Sequence, residues 1–376
     1  MVKSLVLKKV LVTGGAGFIG SHLVDLLAEE GYQVKVLDSF HPQVHKEKPS
    51  YLNPACEYIE GDIRDRKLLS SLVADTEGIF HLASRVGVGQ SMYQIEEYVD
   101  ENVRGTAVLL DILANEKHNI KKLVVASSMS IYGEGAYNCD TCGVVYPVER
   151  EVSDLRQGMW EMKCPRCRAV VHPIPTPEDK PLCPTSIYAQ TKRDQEEMCL
   201  LIGKTYGIPT VALRFFNVFG SRQALSNPYT GVVAIFSSRI MNGNPPIIFE
   251  DGKQTRDFIH VKDIAKACFL SYEKEEADYQ VFNLGRGRPV SIGEISRLLQ
   301  KILKKEVGEE ITGRFRKGDI RHCIADIAKL KKFLSFEPRY SLEEGMEELL
   351  YWMQKEQPED NILKALQELE GRRLVE

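Results

Sequence analysis

The chain has 376 residues, 43% of them apolar, and 49 Lys and Arg against 53 Asp and Glu give a formal charge of -4. That is enough apolar side chain for one large or two modest cores, and the acidic balance argues against a surface built to neutralise nucleic-acid phosphates. No stretch approaches the roughly 18 apolar residues of a membrane span, the first ten residues lack a secretory apolar region with a cleavage site, and nine cysteines without an export signal point to reduced thiols, so a cytoplasmic protein is expected.

Lys9 to Thr13 reads as a buried strand that runs into Gly14-Gly-Ala-Gly17-Phe18-Ile19-Gly20 and then into the helical pattern Ser21-His-Leu-Val-Asp-Leu-Leu. In that context Gly14 allows a tight turn, Gly17 a close approach to a pyrophosphate, and Gly20 close packing of helix on strand, with the helix N-terminus facing the phosphates. The next strand, Gln33 to Leu37, ends in Asp38, where a carboxylate can accept ribose hydroxyls and repel a 2′-phosphate. No arginine follows in the next ten residues, which favours NAD over NADP. Apolar strands recur at Glu57–Ile63, Gly78–Ala83 and Lys122–Ser128, each followed by polar or helical sequence. This alternation predicts an α/β fold on a doubly wound parallel sheet. Ligands of such sheets lie at the carboxyl ends of the strands, where Asp62, Ser84 and Ser128 fall.

Between Ser128 and the next helical pattern stand Cys139-x2-Cys142 and Cys164-x2-Cys167. The spacing matches a tetrahedral ribbon site, and four thiolates leave no open position, so a structural zinc on Cys139, Cys142, Cys164 and Cys167 is expected. Glu149, Glu151, Asp154 and Glu161 within the insert dilute any nucleic-acid-binding character. Tyr188 and Lys192 follow, four residues apart on one helical face. A phenol with a pKa of about 10 needs a nearby cation to act as a base near neutral pH, and Lys192 can supply it. Further on, Thr210–Phe216 and Gln280–Leu284 read as strands and His260 as a helix start; Ile362, Leu366 and Leu369 give the charged carboxy-terminal tail an amphipathic helical face expected to pack on the body.

With Gly14-x2-Gly17-x2-Gly20, Asp62-Ile63, Ser128-x3-Tyr132-Gly133, Tyr188-x3-Lys192 and Arg214-Phe-Phe-Asn217-Val-Phe-Gly220 in this order, the chain resembles the extended short-chain dehydrogenase/reductase family, and within it the sugar-nucleotide epimerases and dehydratases. The resemblance spans Lys9 to about Lys355; a second Tyr-x3-Lys, at Tyr351 and Lys355, is read as chance. It implies a Rossmann-like sheet with a smaller carboxy-terminal substrate lobe. It implies Ser128, Tyr188 and Lys192 as catalytic residues, and contacts to NAD from Gly14, Gly17, Phe18, Ile19, Gly20, Asp38, Asp62, Ile63, Leu82, Ala83, Ser84, Asn102, Tyr188 and Lys192. For a nucleotide-diphosphate sugar it implies Ser91, Asn217, Arg256, Arg316 and Asp319, the two arginines suiting a pyrophosphate, although either could instead pair with Asp257 or Asp319 as a surface residue. It also implies a homodimer through the helices Asn102–Leu113 and Tyr188–Ile202.

Dehydratases of the family carry an Asp-Glu pair directly after the catalytic Ser or Thr, where this chain has Met129 and Ser130. The expectation is therefore epimerisation at C4 through a transient 4-keto sugar. The combination of His41–His45, Gly87–Tyr93, the cysteine ribbon and Gln223–Tyr229 is most similar to the branch acting on dTDP-L-rhamnose. A dehydratase, a reductase, a UDP-hexose 4-epimerase and a non-catalytic NAD sensor are the alternatives. The expected organisation is a nucleotide domain over 1–220, to which 256–285 returns, a zinc-ribbon insert over 134–183, a substrate lobe from 221–255 and 286–355, and a tail over 356–376.

Overall fold

The structure, a computed structural model, describes residues 8–224, 227, 229, 231–354 and 360–376. Residues 1–7 of the opening run, Leu225, Ser226 and Pro228 of the Gln223–Tyr229 stretch, Lys355 of the second Tyr-x3-Lys and 356–359 of the tail lie outside the described residues.

Seven strands form the main sheet: β1 (Lys9–Thr13), β2 (Gln33–Asp38), β3 (Glu57–Glu60), β4 (Gly78–His81), β5 (Lys122–Ser128), β6 (Thr210–Phe215) and β7 (Val281–Leu284). Their spatial order is β7-β6-β5-β4-β1-β2-β3, and every pairing is parallel. This is the α/β doubly wound sheet that the strand–helix alternation predicts. The order reverses between β1 and β4, which opens a crevice at their carboxyl ends. Each face is covered by helices over its own apolar cluster. Val10, Val12, Phe80, Val124 and Leu213 point to one side with the helices Phe18–Glu29 and Val261–Glu273; Leu11, Leu37, Ile79 and Val125 point to the other with the helices Arg66–Ala74 and Gly105–Asn115. Parallel strands buried on both faces read as near-continuous apolar runs for this reason.

A second core gathers Phe219, Phe236, Ile248, Phe258, Ile295, Leu299, Met346 and Leu349. Its helices Ile292–Leu303 and Leu342–Met353 each open with a capping box, Ser291 with Glu294 and Ser341 with Glu344. Between the two lobes the chain does not divide cleanly: Leu330, Leu334 and Phe336 join the main core, although they lie within the expected substrate lobe.

The cysteine insert forms a three-stranded antiparallel sheet from Ala136–Cys139, Gly143–Val145 and His172–Ile174 around a small cluster of Tyr137, Val145, Met162 and Val171. The expected tail helix is present as Ile362–Gly371, with Ala365, Leu366 and Leu369 buried. Among the described residues no helix is long and apolar enough to cross a membrane.

Candidate active site

A cavity of about 670 Å³ follows the carboxyl ends of the strands from the glycine turn to the second lobe. At its first end Gly14 sits at φ 72° and its N–H donates to the Leu37 carbonyl at 2.8 Å. A Cβ there would come within 2.8 Å of the Ala83 backbone, and a Cβ on Gly20 within 2.2 Å of the Gly14 carbonyl oxygen, so both positions require glycine for packing. Gly17 caps the helix Phe18–Glu29 with no side chain over its free N–H groups, as an anion cradle needs. Asp38 accepts the Ala16 and Phe40 N–H groups, each at 2.9 Å, one on each carboxylate oxygen, which fixes the carboxylate at the rim with lone pairs to spare. Asp62 and Ile63 also line the cavity, as do Leu82, Ala83 and Ser84. Arg64 holds the Asp62 carboxylate, with Nε at 2.8 Å, and keeps it below the usual carboxylate range.

In the middle of the cavity stand Ser128, Tyr188 and Lys192. Ser128 ends β5, and its Oγ accepts from both the N–H of Ser130, at 3.2 Å, and the Ser130 hydroxyl, at 2.9 Å. With its acceptor capacity so occupied, Ser128 is left to donate its own proton into the cavity. Tyr188 and Lys192 occupy the first turns of the helix Ile187–Tyr206, whose N-cap Ser186 accepts from Ala189 N–H. The Arg214–Glu196 ion pair, 2.6 Å and buried, pins that helix to β6, and Arg214 also donates to the Tyr132 hydroxyl at 2.7 Å. Burial pushes the Tyr188 phenol up to about 12, against the opposing pull of the Ser128 hydroxyl, and burial draws the Lys192 ammonium down to about 7. Lys192 Nζ donates to the Ala126 carbonyl at 2.9 Å.

Two residues expected to contact a ligand are held by protein partners. Asn102 is fully buried and absent from the cavity wall; its amide accepts from Arg85 N–H at 2.6 Å and donates to the Arg85 carbonyl at 3.1 Å and to Thr191 Oγ1 at 2.9 Å. It clamps the loop after β4 to the Tyr188 helix. Ser91, also fully buried, accepts the Tyr188 N–H at 3.0 Å and donates to the Val88 carbonyl at 2.7 Å, so it orients the start of that helix from behind the wall.

At the far end Asn217, Arg256, Arg316 and Asp319 line the cavity. Arg316 is paired with Asp319 at 2.7 Å, the pairing that the sequence left open. Arg256 does not pair with Asp257: it donates to the backbone carbonyls of Thr255, Ile320 and Arg321, at 2.9, 2.7 and 3.1 Å. Buried side-chain atoms of Ser127, Asn217, Gln223 and Gln254, all from residues of the wall, have no hydrogen-bond partner. Unpaired buried polar groups are costly, and their concentration here fits a polar ligand.

Sequence reasoning missed several parts of the wall. His41, Gln43, Val44 and His45 fold over the glycine end, and Gln43 bonds Gln90 at 2.9 Å. The carboxy-terminal helix supplies Ile362, Ala365, Leu366 and Leu369. Its Glu368 accepts from the hydroxyls of Tyr93 and Tyr229, at 2.9 and 2.8 Å. The amphipathic spacing of 362–369 signals that something is covered, without showing what.

The four Sγ atoms of Cys139, Cys142, Cys164 and Cys167 lie within 4.8 Å of one another, and none of these cysteines is in a disulfide. Tetrahedral zinc, with Zn–S of about 2.3 Å, holds its sulfurs about 3.8 Å apart, so the cluster has the size for such an ion.

Residues 10–149 and 169–285 match the NAD dependent epimerase/dehydratase family, with the break falling inside the cysteine insert. The chain belongs to this family. It is 33% identical over 356 residues to a dTDP-L-rhamnose 4-epimerase of Burkholderia thailandensis, covering 93% of this chain and 96% of that one. It is also 33% identical to a putative UDP-glucose 4-epimerase of Methanocaldococcus jannaschii, over 92% and 98% of the two chains. Among solved structures, UDP-glucose 4-epimerase of Thermotoga maritima with UDP-glucose superposes with a TM-score of 0.74 at 32% identity, covering 92% of this chain and 99% of that one. UDP-glucuronic acid 4-epimerase of Bacillus cereus, in complex with UDP-glucuronic acid and NAD, gives 0.74 at 28% identity over 92% and 99%.

Proposed function

We propose that the chain is an NAD-dependent nucleotide-sugar 4-epimerase whose substrate is dTDP-L-rhamnose and whose product is dTDP-6-deoxy-L-talose. The observation that carries the reaction type is the meeting of Ser128, Tyr188 and Lys192 in one cavity whose wall has Met129 and Ser130 where a dehydratase needs two carboxyl groups. The sugar assignment rests on the Burkholderia relative. A UDP-hexose substrate is the second reading, favoured by the Methanocaldococcus and Thermotoga relatives.

Gly14, Gly17 and Asp38 would hold NAD, which would supply a hydride acceptor and donor for C4. Asp38 receives ribose hydroxyls, and the free N–H groups after Gly17 receive the pyrophosphate. Tyr188 takes the C4 hydroxyl proton and later returns it, while Ser128 donates a hydrogen bond to the same oxygen and holds it in line. Lys192 favours the phenolate by its charge. Arg256 and Arg316 bind the sugar nucleotide's diphosphate, and Asn217 faces the sugar. With the sugar turned between the two proton transfers, the hydride that C4 gave up would return to its opposite face, so no net redox change would accumulate. In this reading the protein is a cytoplasmic homodimer with a structural zinc on its four ribbon cysteines.

The test is incubation of the purified protein, without added cofactor, with dTDP-L-rhamnose, UDP-glucose and UDP-N-acetylglucosamine, followed by NMR and absorbance at about 340 nm, where reduced nicotinamide cofactors absorb. A C4-inverted product without accumulating NADH is expected, first with dTDP-L-rhamnose. Stoichiometric NADH release, or three unchanged sugars from protein shown to hold NAD, would sink the reading.

A further inference from the structure

The carboxy-terminal segment touches the cavity along its length. Leu369 meets Gly89, where an added Cβ would lie 3.3 Å from it. Gly89 is two residues before Ser91, whose hydroxyl holds the Tyr188 N–H, so this part of the helix lies near the reacting end. Glu368 is clasped by Tyr93 and Tyr229, and Arg372 covers the Tyr93 ring at 4.1 Å. Beyond the helix, the chain end pairs with the loop that carries Arg316: Phe315 and Glu376 exchange backbone hydrogen bonds at 2.8 and 3.0 Å, and Lys317 N–H donates to the Leu374 carbonyl at 3.1 Å. At the other end Asp360 accepts from Arg239 at 3.1 Å and from Asn244 at 2.8 Å.

Charge decides what such a wall accepts. Six lysine and arginine side chains line the cavity among the described residues. Arg85, Arg239, Arg316 and Lys317 are already paired with Glu101, Asp360, Asp319 and Glu376. The other two are Lys192, turned to the Ala126 carbonyl, and Arg256, held by backbone carbonyls. None of the six is left over at the Leu369 end to receive a second carboxylate, and the tyrosine hydroxyls hold Glu368 below the usual carboxylate range, so it stays charged.

We infer that residues 362–376 are a wall of the substrate site that fits it to a nucleotide sugar uncharged at C6: Leu366 and Leu369 lie against the sugar, Glu368, held behind them by Tyr93 and the wall residue Tyr229, repels a uronate, and the last residues steady the loop at Arg316. The inference rests on the 4-epimerase reading and separates this chain from those relatives that act on UDP-glucuronic acid. A like charge placed in a desolvated site costs affinity, and each tenfold corresponds to about 1.4 kcal/mol.

The test compares kcat and KM for dTDP-L-rhamnose, UDP-glucose and UDP-glucuronic acid in the wild type, Glu368→Gln and Leu369→Asp. The wild type is expected to disfavour the uronate by at least about tenfold in kcat/KM. Glu368→Gln, which keeps an acceptor for both tyrosines, should narrow that gap through the uronate KM, and Leu369→Asp should raise KM for the uncharged sugars. A wild type that prefers UDP-glucuronic acid, or a gap unchanged in both variants, overturns the inference while leaving 4-epimerisation standing. If the wild type turns over no sugar, the epimerase reading fails by itself. The wall is then read by amide hydrogen exchange over 362–376 with dTDP or UDP added: slowed exchange upholds it, and unchanged exchange overturns it.

Discussion

Tyr188 and Lys192 face opposed demands from one environment. Burial favours the neutral phenol and the neutral amine, pushing the first up to about 12 and the second down to about 7, whereas the proposed reaction needs phenolate beside ammonium. The mutual charge is therefore the asset that the site must create. Lys192→Met is expected to lower kcat by roughly 10² to 10⁴, the usual worth of a positioned acid–base group. It should also move the acid limb of the kcat profile to higher pH, because the phenolate loses its counter-charge. Stability should move the other way. The folded-state pKa of Lys192 lies below the unfolded value of about 10.4, so its ammonium destabilises the fold fully below about pH 7 and less as the pH rises towards the unfolded value. Removing it should leave the melting temperature at pH 6 unchanged or higher, with the gain shrinking as the pH rises above about 7. An unchanged kcat, or a fall in melting temperature at pH 6, would remove Lys192 from this role.

At the scale of elements, the strand Thr255–His260 joins the two lobes through one carboxylate. Asp257, fully buried, accepts the N–H groups of Arg286, Gly287 and Ala325 at 2.7, 2.8 and 3.1 Å, which ties the end of β7 and the strand His322–Cys323 to it. Burial raises its pKa to about 6. Asp257→Asn leaves one acceptor oxygen and turns an NH2 towards backbone donors, a change that should cost about 1–3 kcal/mol. Because the folded pKa lies above the unfolded value of about 3.9, the wild type gains stability from Asp257 as pH falls from about 6 through that window. The amide variant cannot, so urea titrations should show the gap widening from pH 7 to pH 5; a constant gap would refute the assignment. The strands of the main sheet were legible in the sequence because apolar runs and glycine turns are local signals, as Gly14 and Gly20 show. Ser91 and Asn102 are buried behind wall residues Met92 and Glu101, and spacing alone does not say which side chain of such a neighbouring pair faces the cavity. The tail helix was legible as amphipathic, but its partner was not, since Leu369 meets Gly89 only through long-range folding.

At the scale of the whole molecule, the cysteine insert is bolted to the second lobe by charge. Arg321, fully buried, pairs with Glu161 of the insert at 2.6 Å and with Glu250 and Asp251 at 2.9 and 2.7 Å. Arg150 of the insert reaches Glu250 at 2.7 Å and the Asp319 carbonyl at 2.9 Å. The insert therefore holds the loop on which Arg316 and Asp319 stand, while it is far in the chain from Gly14 and Asp38. Its own apolar cluster is small, and a unit of that size seldom holds itself together without a staple. With zinc as the staple, Cys139→Ser or Cys164→Ser should lose the metal, one ion per chain in the wild type by elemental analysis. Each variant should lower the melting temperature and raise KM for the sugar nucleotide, because the Arg316 loop loses its support. NAD retention should stay as in the wild type, since the glycine turn has its own packing against Ala83 and Gly14. A wild type without zinc would remove the metal from the account. Loss of NAD together with the sugar nucleotide would mean that the insert supports the whole sheet, and that the Arg316 loop has no special dependence on it.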